Sequence, residues 1–367
     1  MKKKYGYLLS AVLFFGTLAC VAICTLITPF ESYSAAERRN LASMPALSLN
    51  NVASGKWQNA LESFLQDHIA FRSSFLTLQS VSNNDLFYAL DDAGLISKDG
   101  SLIRVNETEN EDSIAYAAKL FDSIEEQYLQ NSACKVYLSI IPDKAYFVQD
   151  ENYLTMDYEK FFQDALAALP QGKYIDITKT LSLEDYYSTD SHWKQESIID
   201  TAAALASAMG VSIESDYEQI EALPDFEGSY SPLTALAHNK DSLILLENDT
   251  IRNFTVSSVS ESASEKIDIY NMDKLQSSNP YEAFLNGNLG MVTIENPDAE
   301  NDRELIVFKD SFGSSIAPLI AQGYKKTTLI DLRAMPSWRL KNLVEFTDQD
   351  VLFLYSTTSL NAATSMK

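Results

Sequence analysis

Five short apolar runs alternating with helical patterns, behind one long uncharged N-terminal run, predict a membrane-tethered parallel α/β sandwich. The runs are "KVYLSII" at 135–141, "KYIDI" at 173–177, "ELIVF" at 304–308, "KTTLIDL" at 326–332 and "DVLFLY" at 350–355, continuous in the way of strands buried on both faces. Residues 112–130, 157–169, 192–209 and 313–323 carry apolar residues at the spacing of helices that pack one face on a sheet. Strand then helix, repeated, gives a parallel arrangement. At 367 residues and 46% apolar composition, the chain is long enough to bury a sizeable core.

The N-terminus reads Met1-Lys2-Lys3-Lys4-Tyr5, and Gly6 to Phe30 is uncharged and rich in Leu, Val, Ile, Phe and Ala. Such a run spans a bilayer. Lysines before it and Glu31 after it place the tip inside the cell and everything beyond Pro29 outside, by the positive-inside rule. A cleaved signal peptide is the alternative, with small residues at Ser34-Ala35-Ala36 near a cut site; the length of the apolar run favours a retained anchor. Cys20 does not mark a lipoprotein, because no leucine stands three positions before it.

Only Cys134 lies beyond the anchor, so the outer part holds no intramolecular disulfide, and that cysteine is expected to be buried. The net charge is −23, or −26 for the outer part once Lys2, Lys3 and Lys4 are subtracted. A surface so acidic repels nucleic acid and anionic lipid heads. Weakly charged sugars suit it better.

Residues 31–60 read as an extended neck, interrupted by Pro45 and Gly55. The outer domain is expected over 61–367. A helical stretch opens near Lys56 with Trp57, Leu61, Phe64, Leu65, Ile69, Phe71 and Phe75 at three- and four-residue steps. The segment 211–300, rich in Ser, Asp and Asn, reads as an irregular insertion over one edge of the sheet.

Two motifs carry potential chemistry. In "ELIVFKDSFGSS" an apolar strand ends at Phe308 and a helix begins near Gly313, which puts Ser311 at a strand end beside free helix N–H groups. By itself Ser311 reads as an ordinary helix cap. "YYSTDSHW" at 186–193 likewise reads alone as a capping Asp190, a core Trp193 and an idle His192. Together they supply what serine nucleophiles need: an imidazole to take the hydroxyl proton and a carboxylate to orient it. Of the other two histidines, His68 lies in "FLQDHIAF" and His238 in "AHNKD". Neither has so pointed a carboxylate. Three histidines, no outer cysteine cluster and no second histidine at helical spacing leave zinc without a ligand set, and no cofactor is expected.

"YYSTDSHW", "YEAFLNGNLG", "FKDSFGSS" and "DVLFLY", with "ERRNLASMP" and "FLQDHIAFRSSF" earlier, resemble the DHHW family of anchored Gram-positive surface proteins, relatives of the alginate O-acetyltransferases. The resemblance covers nearly all of the chain beyond the anchor. It implies an SGNH-hydrolase-like parallel sandwich with circularly permuted motif order, Asp-x-His preceding the serine. Ser191 stands where that family has its first histidine. Carried over, the resemblance makes Ser311 the nucleophile, His192 the base and Asp190 the orienting acid. It also makes Gly287 and Asn288 of "FLNGN" the candidate oxyanion donors, although Asn286-Gly287 is equally a turn signal. Lys144 of "IPDKAYF" resembles a Pro-x-Lys feature of those relatives and is expected as a solvated lysine.

The expectation is therefore an extracytoplasmic acyl transferase or esterase, acetyl being the expected acyl group, acting on the hydroxyls of a cell-surface glycan. A transferase would draw on a multi-pass membrane acyltransferase as donor. A non-catalytic glycan-binding or scaffold protein with the same fold is the reading from another class.

Overall fold

A computed structural model describes residues 2–367 apart from 35–38, 84–89, 91–92, 106, 150–152, 170–171 and 261–262, and, for 2–4, the backbone alone. Ala35, Ala36 and Glu37, at the alternative cleavage site, lie outside the described residues. The chain divides into two compact units, one of Met1–Ala93 with Ser231–Ala237, the other of Gly94–Tyr230 with His238–Lys367. The boundary falls well beyond the neck expected at 31–60.

In the first unit α1 (Lys2–Ile27) is one continuous helix. Its stretch Tyr5–Ile27, 23 residues containing an 18-residue window of mean hydropathy 2.3, is long and apolar enough to cross a membrane; a signal sequence meets the same test. The helical pattern expected from Lys56 onward forms two helices, α2 (Lys56–His68) and α3 (Arg72–Val81). Between them Phe71 takes a left-handed conformation at φ 63°.

The second unit is built on an eight-stranded sheet. Its strands in chain order are β1 (Lys135–Ile141), β2 (Lys173–Tyr174), β3 (Thr255–Val259), β4 (Ser264–Ile267), β5 (Met291–Glu295), β6 (Glu304–Lys309), β7 (Lys326–Ile330) and β8 (Asp350–Ser356). Across the sheet the order is β4-β3-β5-β7-β6-β8-β1-β2. From β7 to β2 every pairing is parallel, and from β4 to β7 every pairing is antiparallel. The insertion expected to be irregular thus adds β3, β4 and β5 to the sheet. Its serine-rich strands, such as "TVSSV", are half-exposed, so no continuous apolar run announces them.

Alternation along the central strands explains the two-sided core. Leu305 and Val307 of β6 join Leu352 and Leu354 of β8 on one face. Ile306 and Phe308 join Val351, Phe353 and Tyr355 on the other. The first face is covered by α6 (Ile199–Met209) and α7 (Phe312–Ile320), through Leu205, Met209, Ile316 and Leu319. The second is covered by α4 (Glu111–Ile124) and α5 (Tyr158–Ala168), through Phe121 and Phe161. The helix expected over 192–209 begins only at Ile199, after an isolated 3₁₀ turn at Gln195–Ser197. The fold is an α/β sandwich around a mostly parallel eight-stranded sheet, with an N-terminal apolar helix.

Phe353 is fully buried, stacked on Phe308 with ring centroids 4.8 Å apart and set against Phe121 at 4.9 Å. Phe353→Ala is expected to cost about 3–5 kcal/mol of unfolding free energy. Chemical denaturation measures it, and a loss under about 1 kcal/mol, the ordinary effect of an average substitution, would contradict this packing.

Candidate active site

The loop from Tyr186 to Trp193 doubles back on itself. Tyr186 and Trp193 pair as an antiparallel bridge, and the Tyr187 N–H donates to the His192 carbonyl at 3.0 Å. Polar groups hold its tip from both sides. The Asp241 carboxylate accepts from Ser188 N at 2.9 Å, Thr189 N at 2.8 Å and Thr189 Oγ1 at 2.7 Å. Lys144 Nζ donates to the carbonyls of Tyr187 at 2.7 Å, Ser188 at 3.2 Å and Asp190 at 3.3 Å. Lys144, expected in solvent, is buried, because three carbonyls supply every acceptor its ammonium needs.

Within this loop Asp190 is buried with both carboxylate oxygens engaged. Oδ1 accepts from His192 N at 2.9 Å and from His192 Nδ1 at 2.5 Å, and Oδ2 from Ser229 N at 2.6 Å. Burial pushes this carboxyl up. The charge and hydrogen bond of His192, with the N–H groups of Ser229 and His192, outweigh that and hold it well below the usual carboxylate range. Gly228 must lack a side chain here, since a Cβ would stand 2.2 Å from Asp190 Cβ.

With Nδ1 directed at Asp190, the His192 ring turns Nε2 to its other side. Ser311 Oγ lies 2.8 Å from it. The ring is stacked on Tyr281 at 3.8 Å and tilted against Phe312 at 4.7 Å. Ser315 fixes that stack from beneath, its Oγ bonded to Trp193 Nε1 and Tyr281 Oη, each at 2.8 Å. The imidazole has one orientation open to it.

Ser311 follows the end of β6 and occupies the N-cap position of α7, yet its side chain makes no cap hydrogen bond. Asp310 does that work. Its Oδ1 accepts from Phe312 N at 3.0 Å, while Oδ2 accepts from Ser356 N at 2.8 Å and Ser356 Oγ at 2.6 Å at the end of β8. The Ser311 hydroxyl is left to His192.

A cavity of about 240 Å³ opens beside Ser311 and His192, its wall including Arg333, Ser356, Thr358 and Ser359. Asp331 holds the guanidinium of Arg333, with Nε to Oδ1 at 2.9 Å and Nη2 to Oδ2 at 2.6 Å. Gly287 and Asn288 do not line this cavity. They belong to a turn in which Leu285, Asn286 and Gly287 all have positive φ, and the Gly287 N–H donates to the Phe284 carbonyl at 3.1 Å. That amide is spent on the turn. Elsewhere Glu109, Glu111 and Asp164 gather closely enough to share a cation, and Lys160 already sits among them at 2.6, 2.9 and 2.7 Å.

Sequence reasoning brought Asp190, His192 and Ser311 together and missed Gly228, Asp241 and Arg333. Arg333 follows β7 as Lys144 follows β1, both at carboxyl ends of parallel strands, where sites form. That position was the available signal.

Comparison with known proteins places the fold. No protein-family model matches the chain, and no curated protein matches it. Among solved structures it is similar to a DHHW family protein from Eubacterium siraeum DSM 15702, at 19% identity and TM-score 0.57, over 75% of this chain and 95% of that one. It has the DHHW fold. PatB1 of Bacillus cereus, solved with a sulfonyl adduct, is similar at 19% identity and TM-score 0.58, over 72% of this chain and 95% of that one.

Burial draws the Lys144 ammonium down to about 7, against the charges of Asp190 and Asp241 and with help from Lys194. The unfolded chain keeps this proton up to the ordinary lysine value of 10.5, so between the two values it binds more protons than the folded chain and stability rises with pH. Below about 7 the full burial cost stands. The stability of the wild type relative to Lys144→Met is therefore expected to climb as pH goes from 7 towards 10, read from denaturation midpoints at each pH. A flat difference would disprove the shift.

Proposed function

We infer that the chain is a serine-dependent acyl transferase or esterase acting on hydroxyl groups of a cell-surface glycan. The observation that carries this is the unbroken relay from Asp190 Oδ1 to His192 Nδ1 at 2.5 Å and from His192 Nε2 to Ser311 Oγ at 2.8 Å, made by a serine relieved of capping. Ser311 Oγ attacks the acyl carbonyl as its proton passes to His192 Nε2, and Asp190 steadies the imidazolium. Collapse of the tetrahedral intermediate expels the donor oxygen, which takes that proton and leaves an acyl-enzyme. A sugar hydroxyl or water then gives its proton to His192, attacks the acyl carbon and frees Ser311. The two acceptors define transferase and esterase.

Arg333, oriented by Asp331, is a cation at the cavity wall, and Thr358 and Ser359 add hydroxyl groups there that can meet the acyl donor or an incoming sugar hydroxyl. In the transferase form the donor is a multi-pass membrane acyltransferase beside the anchor, and acetyl is the group carried.

Sulfonyl fluoride is the natural probe, since PatB1 has been captured with a sulfonyl adduct. Wild-type protein is expected to gain the sulfonyl mass on the peptide containing Ser311 and to release p-nitrophenol from p-nitrophenyl acetate. Ser311→Ala is expected to lose both activities at unchanged Tm, and His192→Ala to lose both as completely, because triad members act as a unit. Asp190→Ala keeps more turnover per folded molecule, since losing the orienting acid costs less, and both loop variants lower Tm by breaking the buried pair. A Ser311→Ala protein that turns over normally would exclude the mechanism. A wild type inert to every acyl donor would assign the fold to glycan binding instead.

The same reading sets the catalytic unit outside the cell, held by α1. Protease added to intact cells is expected to digest the chain beyond residue 31 while α1 stays with the membrane. A mature N-terminus near Ala36 would replace the anchor by a cleaved signal peptide.

A further inference from the structure

We propose that the elbow between α2 and α3 is a second membrane contact, an interfacial wedge seated in the same lipid leaflet as the exit of α1. The proposal rests on α1 spanning a bilayer, and its observations lie within the first unit.

Depth comes first. The Ala70 N–H donates to Thr25 Oγ1 at 2.9 Å, and Thr25 lies two residues inside the end of the apolar stretch Tyr5–Ile27, or about 3 Å below it at the helical rise. His68 Nε2 meets the Glu31 carbonyl at 2.9 Å, and the rings of Phe30 and Phe64 meet edge to face at 4.9 Å. The elbow is thus fastened to the last turn of the span and the first residues beyond it.

Exposure comes second. Phe71, next to Ala70 in the chain, is 55% exposed, and on the helix that follows Phe75 is 46% exposed and Leu78 63%. Spaced by four and three, they form one stripe along α3, and Leu26 and Ile27 of α1 are exposed as well. The left-handed conformation of Phe71, which favours glycine, keeps an aromatic ring at the corner of the elbow. Asp67, the last acid before the elbow in the chain, is paired. Arg39 holds it through Nη2–Oδ1 at 2.5 Å and Nη1–Oδ2 at 3.1 Å, and the carboxyl is lowered to about 2, chiefly by that hydrogen bond. An aromatic and aliphatic stripe that starts beside the exit of the span and holds no acid between Phe71 and Leu78 fits the boundary between lipid headgroups and acyl chains.

The test uses the full chain carrying Cys20→Ala, Cys24→Ala and Cys134→Ser, with one new cysteine at a time, labelled with an environment-sensitive fluorophore and reconstituted in phosphatidylcholine vesicles. Phe71→Cys, Phe75→Cys and Leu78→Cys probe the stripe. Leu26→Cys and Phe14→Cys mark the mouth and middle of the span, and Leu154→Cys marks solvent. Lipids with a nitroxide high on the acyl chain are expected to quench labels at 71 and 75 as strongly as at 26, and to leave 154 unquenched. Quenching at 14 without quenching at 71 and 75 overturns the wedge alone. Labels at 71 and 75 shielded from both lipid nitroxide and aqueous iodide would assign the stripe to a protein partner, a second copy or the other unit, and also overturn it. A label at 14 that a nitroxide near the end of the acyl chain does not quench removes the span and the wedge together.

Discussion

Asp310 is the residue on which the candidate site turns. Its buried carboxylate joins the end of β6 to the end of β8 and caps α7 through Phe312 N. A capping side chain contributes about 0.5–2 kcal/mol, so a helix start without one is a poor place for a spare hydroxyl. With Asp310 in that role, Ser311 stands at the N-cap position with its hydroxyl uncommitted to the helix. The cap falls to Asp310, and the Ser311 hydroxyl turns to His192. Lys309 shows the tightness of the turn: its side chain passes where a Cβ on Gly313 would stand, 2.6 Å away, and reaches Ser314 Oγ.

Opposite this turn, the 186–193 loop is held by charges that compensate one another. A buried carboxylate or ammonium is expensive unless paired and hydrogen-bonded. Asp241 takes the N–H groups of the loop, Lys144 takes its carbonyls, and Asp190 between them takes His192 and Ser229. Removing one member leaves another buried without its partner, so the loop holds or fails as a whole. That rigidity serves the imidazole, which is fixed at Nδ1 by Asp190 and on its face by Tyr281.

The sequence made visible what depends on periodicity and on rare residues. Strands β6 and β8 sit between two helical layers, so their runs are apolar throughout, and His192 is conspicuous among three histidines. Strands β3 and β4 escaped notice because they extend the antiparallel edge of the sheet, where serine and lysine suffice. Lys144 was misjudged for a related reason. Lysine is nearly always solvated, and only the three carbonyls converging from a loop more than forty positions away reverse that expectation. Gly228 was invisible because its importance is a distance to Asp190. Asn286-Gly287 was legible as a turn, and a turn is what it is.

The size of the cavity bears on how the proposed chemistry is divided. At about 240 Å³ it lies below the roughly 300–1,000 Å³ of sites that engulf a whole ligand. An acyl group and the carbon under attack fit within it; a glycan chain does not. Under the proposed function, a sugar that gives or receives the acyl group lies across the mouth and offers one hydroxyl inward. Selection among glycans then falls to surface residues at the rim, while the relay of Asp190, His192 and Ser311 needs only an acyl carbonyl. Water reaches the same mouth, so the proposed transfer prevails over hydrolysis only while a sugar covers it. On that reading the division between transferase and esterase is set by what covers the mouth, and not in the relay itself.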